Sequence, residues 1–168
     1  MSDSRAPRLL VVWWSNTGGT QQLVEAACEG ASTEPGCALV CRRADQAAAE
    51  DVIGAQAMLF ATPECLGSMA GLMKDFFDRT YYAALDRVVG RPYATVVCAG
   101  SDGHGALRQL DRIASGWRLR RVAEPLLVIT RAQSAEAILA PKVIDAPELQ
   151  RARELGGALA AGCSLRIW

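Results

Sequence analysis

Runs of apolar and β-branched residues alternate along the chain with longer stretches in which apolar positions recur every three or four residues. The runs "RLLVVWW" (8–14), "CALVCR" (37–42), "QAMLFAT" (56–62), "YATVVCAG" (93–100) and "EPLLVITR" (124–131) read as five strands. They are nearly continuous in apolar character, as strands covered on both faces are. The intervening stretches predict helices over Thr20–Ala31, Ala47–Ile53 and Gly71–Ala84, a fourth over Leu107–Trp117 and a last over Leu149–Cys163. In the third of these, Leu72, Met73, Phe76, Phe77, Thr80 and Tyr81 make a stripe of helical period that faces a sheet. Repeated strand–helix–strand units imply a parallel sheet with right-handed crossovers and helices on both faces. We therefore expect one α/β domain over residues 1–168, a three-layer sandwich around a five-stranded parallel sheet. The order 2-1-3-4-5 suits it and is one of two common orders for doubly wound sheets. The segment Ala132–Ala146, between the last strand and the last helix, is longer than a usual connection and reads as a functional or oligomer-forming excursion.

Bulk composition narrows the classes. Lys plus Arg equals Asp plus Glu, so no net charge argues for a nucleic-acid or membrane surface. No apolar run approaches the ~18 residues of a membrane span. "LLVVWW" is shorter than the roughly 7–15 residues of a signal-peptide core and no small-residue cleavage site follows it. A cytoplasmic protein is expected. The six cysteines contain no C-x-x-C and there is a single histidine, so buried, reduced thiols are expected and no metal site.

The candidate chemistry lies in three connections. In a doubly wound sheet a ligand binds beyond the C-terminal ends of the strands where the order reverses, here between strands one and three. The loop after strand one is "SNTGGT" (15–20). Ser15, Thr17 and Thr20 carry hydroxyls, and Gly18 and Gly19 let the backbone turn its N–H groups inward. The next helix adds unpaired N–H groups and its dipole, so this loop can hold a phosphate dianion without a basic side chain. A plain turn with a Thr cap is the alternative, but six consecutive donors or glycines exceed what capping needs. The spacings of a P-loop and of a dinucleotide fingerprint are both missing. The loop after strand three is "TPECLGSMAG" (62–71), where Pro63 should end the strand and Ser68 or Gly71 start the helix. The loop after strand four is "AGSDGHGAL" (99–107), with Gly100, Gly103 and Gly105 around Ser101, Asp102 and His104. Both offer exposed backbone that can hydrogen-bond a heteroaromatic ring edge.

Together, "WSNTGGT", "TPECLGSMAGLMKDFFDRT" and "AGSDGHGALRQL" resemble the flavodoxin-like superfamily, in its NAD(P)H-dependent FMN reductase and quinone reductase branch. The resemblance runs from about Arg8 to Ile129. It implies the flavodoxin-like fold and FMN, with phosphate on Ser15, Asn16, Thr17, Gly18, Gly19 and Thr20. It places the isoalloxazine ring against Pro63, Glu64, Cys65, Leu66, Gly67 and Ser68 and against Gly100, Ser101, Asp102, Gly103, His104 and Gly105. The branch often carries an aromatic residue just after the proline of the second loop; this chain has Glu64 and Cys65 instead. A carboxylate there either faces solvent or lowers the flavin potential by disfavouring an anionic reduced ring.

Neither the second loop nor the third contains Trp, Tyr or Phe, which favours an open flavin face suited to hydride transfer. The expected function is an FMN-dependent oxidoreductase that takes electrons from NAD(P)H and passes them to a quinone, a flavin or a similar small acceptor. A flavodoxin-type electron carrier and a flavin-free binding module on the same scaffold are the alternatives. His104 is the candidate catalytic residue, with a loop histidine facing solvent as the other reading. Cys65 is either redox-active or a packing residue. Tyr81 and Tyr82 are placed in the core or at a subunit contact, and "RLRR" (118–121) in a solvated basic turn, with attraction of an anionic cofactor or partner as the other reading. A homodimer fits the resemblance.

Overall fold

The alternation along the strands decides the layering. In β1 (Arg8–Trp13), Leu10 and Val12 turn to one side of the sheet while Leu9 and Val11 turn to the other. β3 (Ala57–Cys65) repeats this with Met58 and Phe60 against Leu59 and Ala61. Each face therefore carries its own apolar core, and helices must cover both. The computed structural model describes residues 6–168.

α1 (Gly19–Ser32) and α6 (Ala146–Leu165) cover the Leu9 face. They pack closely because a Cβ on Gly156 would collide with the Ala27 carbonyl. α3 (Gly71–Ala84) and α4 (His104–Gly116) cover the Leu10 face, where Phe60, Phe76, Phe77 and Trp117 form an aromatic cluster with centroid separations of 5.0–6.3 Å. The short α2 (Ala49–Gly54) leads into β3.

The main sheet is parallel, and its order is β2 (Ala38–Arg43), β1, β3, β5 (Pro92–Ala99). Beyond β5 the expected fifth strand is divided. β6 (Arg120–Arg121) pairs with Pro92 and Tyr93, and β7 (Leu126–Ile129) pairs with Val96–Ala99. Pro125 stands just before β7 and has no N–H to give to the ladder. The 2-1-3-4-5 arrangement holds, with the fifth place filled by two pieces.

Three local expectations are corrected. β3 does not stop before Pro63 but runs on to Cys65. β1 pairing ends at Ala61, so the N–H that Pro63 lacks would have faced an empty flank. β3 then folds back antiparallel into β4 (Ser68–Met69), so the second loop is a hairpin with Leu66 and Gly67 at its tip. α4 begins at His104 rather than Leu107, because Gly103 at φ +82° makes the turn. The long 132–146 segment contains a helix, α5 (Ala135–Leu139), capped by Ser134 Oγ accepting from the Ala137 N–H.

Candidate functional site

A cleft of about 550 Å³ opens at the C-terminal edge of the strands, within the size range of small-molecule and cofactor sites. It contains most of the expected residues. Ser15, Asn16, Thr17, Gly19 and Thr20 line one end, and Pro63, Glu64, Cys65, Leu66 and Gly67 line the hairpin side. Gly100 and Ser101 complete the third wall. Gly18, Ser68, Asp102, Gly103, His104 and Gly105 stand outside the lining. Gly18 forms the N-cap of α1, and Ser68 pairs with Cys65 across the hairpin. His104 is exposed on the first turn of α4.

The phosphate-loop end has the features of an anion cradle. Gly18 adopts φ +87°, which aims the following N–H groups along the α1 axis, and no side chain caps them. Ser15 Oγ accepts from the Gly18 N–H at 3.2 Å and keeps its own proton to donate. Thr20 is 1% exposed and its hydroxyl has no partner among the described residues. A buried hydroxyl with no partner is costly, and a ligand in the cleft that Thr20 lines would satisfy it. Gly19 leaves no room for a side chain, since a Cβ there would lie 2.7 Å from Cys98 Sγ. These residues fit a phosphate monoester.

The hairpin is held by α4 and by the first loop. Glu64 neither faces solvent nor stands free beside the cleft. Its Oε1 accepts from the Gly103 N–H at 2.9 Å and its Oε2 from the Ala106 N–H at 3.0 Å. The carboxylate caps α4, whose N-cap glycine offers no side chain, and the helix dipole offsets its charge. Gln109 receives the Met69 N–H at 2.9 Å and donates to Ser68 Oγ at 3.2 Å. Gly105 permits this close fit, because a Cβ there would strike the Gly67 carbonyl. At the tip, Leu66 at φ +52° and Gly67 at φ +73° make a tight hairpin turn, and Leu66 is fully exposed over the cleft. A branched residue in this region of backbone space is uncommon and strained. Asn16 is not free either: its Oδ1 accepts from Trp14 Nε1 at 2.7 Å and its Nδ2 donates to Cys65 Sγ at 3.2 Å. Burial raises the Cys65 thiol above its ordinary value, against the opposing pull of Asn16.

The remaining wall was not anticipated. Ile138 and Leu139 come from α5, Thr130, Ala132 and Lys142 from the segments between β7, α5 and α6, and Cys98 and Ala99 from the end of β5. The one signal for the late wall was the unusual length of 132–146. Its residues reach the cleft by tertiary docking on α1, which local patterns do not encode. Six thiols are present without a disulfide: Cys98 and Cys163 are buried, Cys28, Cys37 and Cys65 half-buried, and Cys41 exposed, contrary to the expectation of burial. "RLRR" is partly paired rather than simply solvated, with Arg118 on Asp86 and Arg121 on Asp111, each at 3.2 Å. Tyr82 is exposed and Tyr81 half-buried, with their rings 5.3 Å apart. No helix of the described residues is long and apolar enough to cross a membrane.

A parallel sheet of this order, with an anion cradle at the first crossover and a glycine-cornered cleft across the next two, defines a flavodoxin-like nucleotide-binding protein. More narrowly, the chain belongs to the NADPH-dependent FMN reductase family, whose model matches residues 20–134. Membership carries FMN as the family's cofactor and agrees with NAD(P)H as donor. The chain is similar to a flavodoxin of Aquifex aeolicus (strain VF5), 29% identical over 98 residues that make up 58% of this chain and 51% of that protein. It is also similar to an NAD(P)H dehydrogenase (quinone) of Solidesulfovibrio magneticus, 28% identical over 122 residues, with 58% of this chain and 60% of the relative covered. The chain thus spans between half and three fifths of these relatives. Among solved structures, a flavodoxin from the domain Archaea matches with a TM-score of 0.77 at 17% identity, covering 93% of this chain and 98% of that one. A WrbA-like flavodoxin from Agrobacterium tumefaciens matches with a TM-score of 0.66 at 19% identity, covering 95% and 98%. At such identities the likeness speaks for the fold alone.

Proposed function

We propose that this chain binds FMN in the strand-end cleft and passes electrons from NAD(P)H through it to a small acceptor, a quinone or a flavin. The observation that carries the reading is the Thr20 hydroxyl, buried and unpartnered at an uncapped helix N-terminus in the expected phosphate position. In the proposed pose, Ser15, Thr17, Thr20 and the first N–H groups of α1 hold the phosphate, while the hairpin backbone and Gly100–Ser101 meet the ring edge. Bound FMN supplies the redox chemistry, and the protein's part is to position it and leave one face accessible.

The cleft lining contains no Trp, Tyr or Phe, so no aromatic side chain covers the ring. An open face suits successive docking of nicotinamide and acceptor, and this favours the enzyme over the electron carrier. The exposed Leu66 and Leu139 border the same cleft and offer apolar contact to such an acceptor. His104 is given only the rim, where it can meet an acceptor after the ring is in place. Six scattered thiols suit a reducing compartment, so a cytoplasmic location belongs to the same proposal.

The test is a titration of the purified protein with FMN, followed by NADH and NADPH oxidation in the presence of a quinone. Saturable FMN binding with quinone-dependent oxidation of either nucleotide supports the reductase. Saturable binding without nucleotide oxidation, but with reduction by a partner reductase, supports the carrier. Absence of FMN binding overturns both. Light scattering of the same sample tests the homodimer.

A further inference from the structure

The phosphate loop contains no Lys or Arg, yet the folded chain brings a cation to it from 122 residues further along. Lys142 is the only basic side chain among the residues lining the cleft. Its position is fixed by backbone and side-chain bonds to the cradle. The Lys142 N–H donates to the Thr17 carbonyl at 2.8 Å. Gln22, on the first turn of α1, donates from Nε2 to the Lys142 carbonyl at 2.7 Å and accepts the Ile144 N–H on Oε1 at 3.1 Å. The side-chain stem then crosses Gly19, where a Cβ would lie 3.3 Å from Lys142 Cβ. This is a second reason for glycine there.

The ammonium is only partly committed. Nζ donates to the Ile138 carbonyl at 2.9 Å and the Ala140 carbonyl at 2.6 Å, at the C-terminal end of α5. An ammonium has three protons, so one donor is left over. Its charge acts on the Cys98 thiol beside Gly19, lowering it against the larger raising effect of burial. α5 buries none of its residues and leaves Ile138 and Leu139 exposed. Little apolar packing holds this short helix in place. The Lys142 bonds are among its main ties to the body of the protein.

We propose that Lys142 is the counter-cation of the flavin phosphate, which makes the cleft selective for the phosphorylated flavin and couples its occupancy to the placement of α5. This rests on the FMN reading above and adds a named selectivity residue to it. A charged donor strengthens a phosphate hydrogen bond over a neutral one. When the phosphate takes the third proton, the same lysine holds Ile138 and Leu139 at the ring's margin.

The chain has two lysines, Lys74 and Lys142, so amine labelling read by peptide mass is a clean test in the unmodified protein. Lys74 is exposed on α3 and serves as the internal reference. Saturating FMN should slow labelling of Lys142 relative to Lys74, and saturating riboflavin should not. In direct titrations, Lys142→Gln should weaken FMN by about tenfold to a hundredfold and riboflavin by less than about twofold. Equal protection by the two flavins, equal losses in the variant, or FMN binding with no protection each overturn the Lys142 assignment and leave the flavin reading standing. Protection by inorganic phosphate without FMN binding points to a plain phosphate site and overturns both. If neither flavin binds the unmodified protein, the proposed function itself falls, and this assignment with it.

Discussion

The two ends of the sheet make an instructive pair. At the N-terminal edge of the strands lies a cavity of about 650 Å³, larger than the strand-end cleft and bordered by Arg8, Arg91 and Arg166. Volume and formal charge alone would favour it as an anion site. Of these three arginines, Arg91, just before β5, is spent on backbone carbonyls. The Arg91 guanidinium donates to the carbonyls of Val52 at 3.1 Å, Ile53 at 2.7 Å and Arg87 at 2.9 Å, and also to Ala55. It closes the C-terminal end of α2 and the approach to β3. The smaller cleft at the other end has only Lys142 for a cation, but its donors are free: the Thr20 hydroxyl, the uncapped α1 N–H groups and one ammonium proton. The larger cavity also has a free donor, the buried Trp168 Nε1, but it borders the C-terminal ends of α2 and α6 at Gly54 and Arg166. The smaller cleft gathers its donors at an uncapped helix N-terminus, and that polarity distinguishes the anion site.

Substitutions at the two ends should separate stability from binding. The largest effect is expected from Arg91→Ala. Loss of the guanidinium strands several carbonyls, so unfolding in urea should show a loss of about 2–4 kcal/mol, while FMN affinity stays within about twofold. The reverse pattern is expected at the cradle. Thr17→Ala combined with Thr20→Ala should weaken FMN by about tenfold or more with riboflavin nearly unaffected, and urea stability should hold or rise as the unpartnered hydroxyl disappears. Equal losses for both flavins would place the two threonines away from the phosphate.

A smaller effect should follow Glu64→Ala. The carboxylate caps α4 and ties it to the hairpin, so removal should cost about 1 kcal/mol of stability and speed hydrogen exchange at Gly103 and Ala106. Unchanged exchange at those two amides would contradict the capping role. The smallest effect lies outside neutral pH. Burial pushes the Cys98 thiol from its ordinary value near 9 up to about 11. A raised thiol favours the protonated form in the folded state, so its contribution is intact below pH 9 and is lost as pH rises through about 11. Urea midpoints of Cys98→Ala should therefore decline less steeply than those of the unmodified protein across that window.

How much of this was legible beforehand follows from the range of each signal. The apolar runs and helical stripes are local, and they marked the strands, the major helices and three adjoining connections. The cradle residues 15–20 could be read because one short loop carries almost the whole donor set. Glu64 could not be placed, since its partners Gly103 and Ala106 lie some forty positions downstream and meet it only when α4 packs on the hairpin. The hairpin itself was hidden by Pro63, which reads as a strand terminator unless the flank it faces is known to be empty. Lys142 was the furthest from view. Its role depends on Gln22 and Thr17 receiving a segment from the other end of the chain, and only the length of that segment hinted at it.

The central claim is that the strand-end cleft grips a phosphorylated flavin through donors that the fold leaves unspent. Paired titrations of the unmodified protein with FMN and riboflavin, followed by flavin fluorescence, test it most directly. The account predicts FMN to bind at least about thirtyfold more tightly, the equivalent of one or two charged hydrogen bonds. Equal affinity for the two flavins would contradict it.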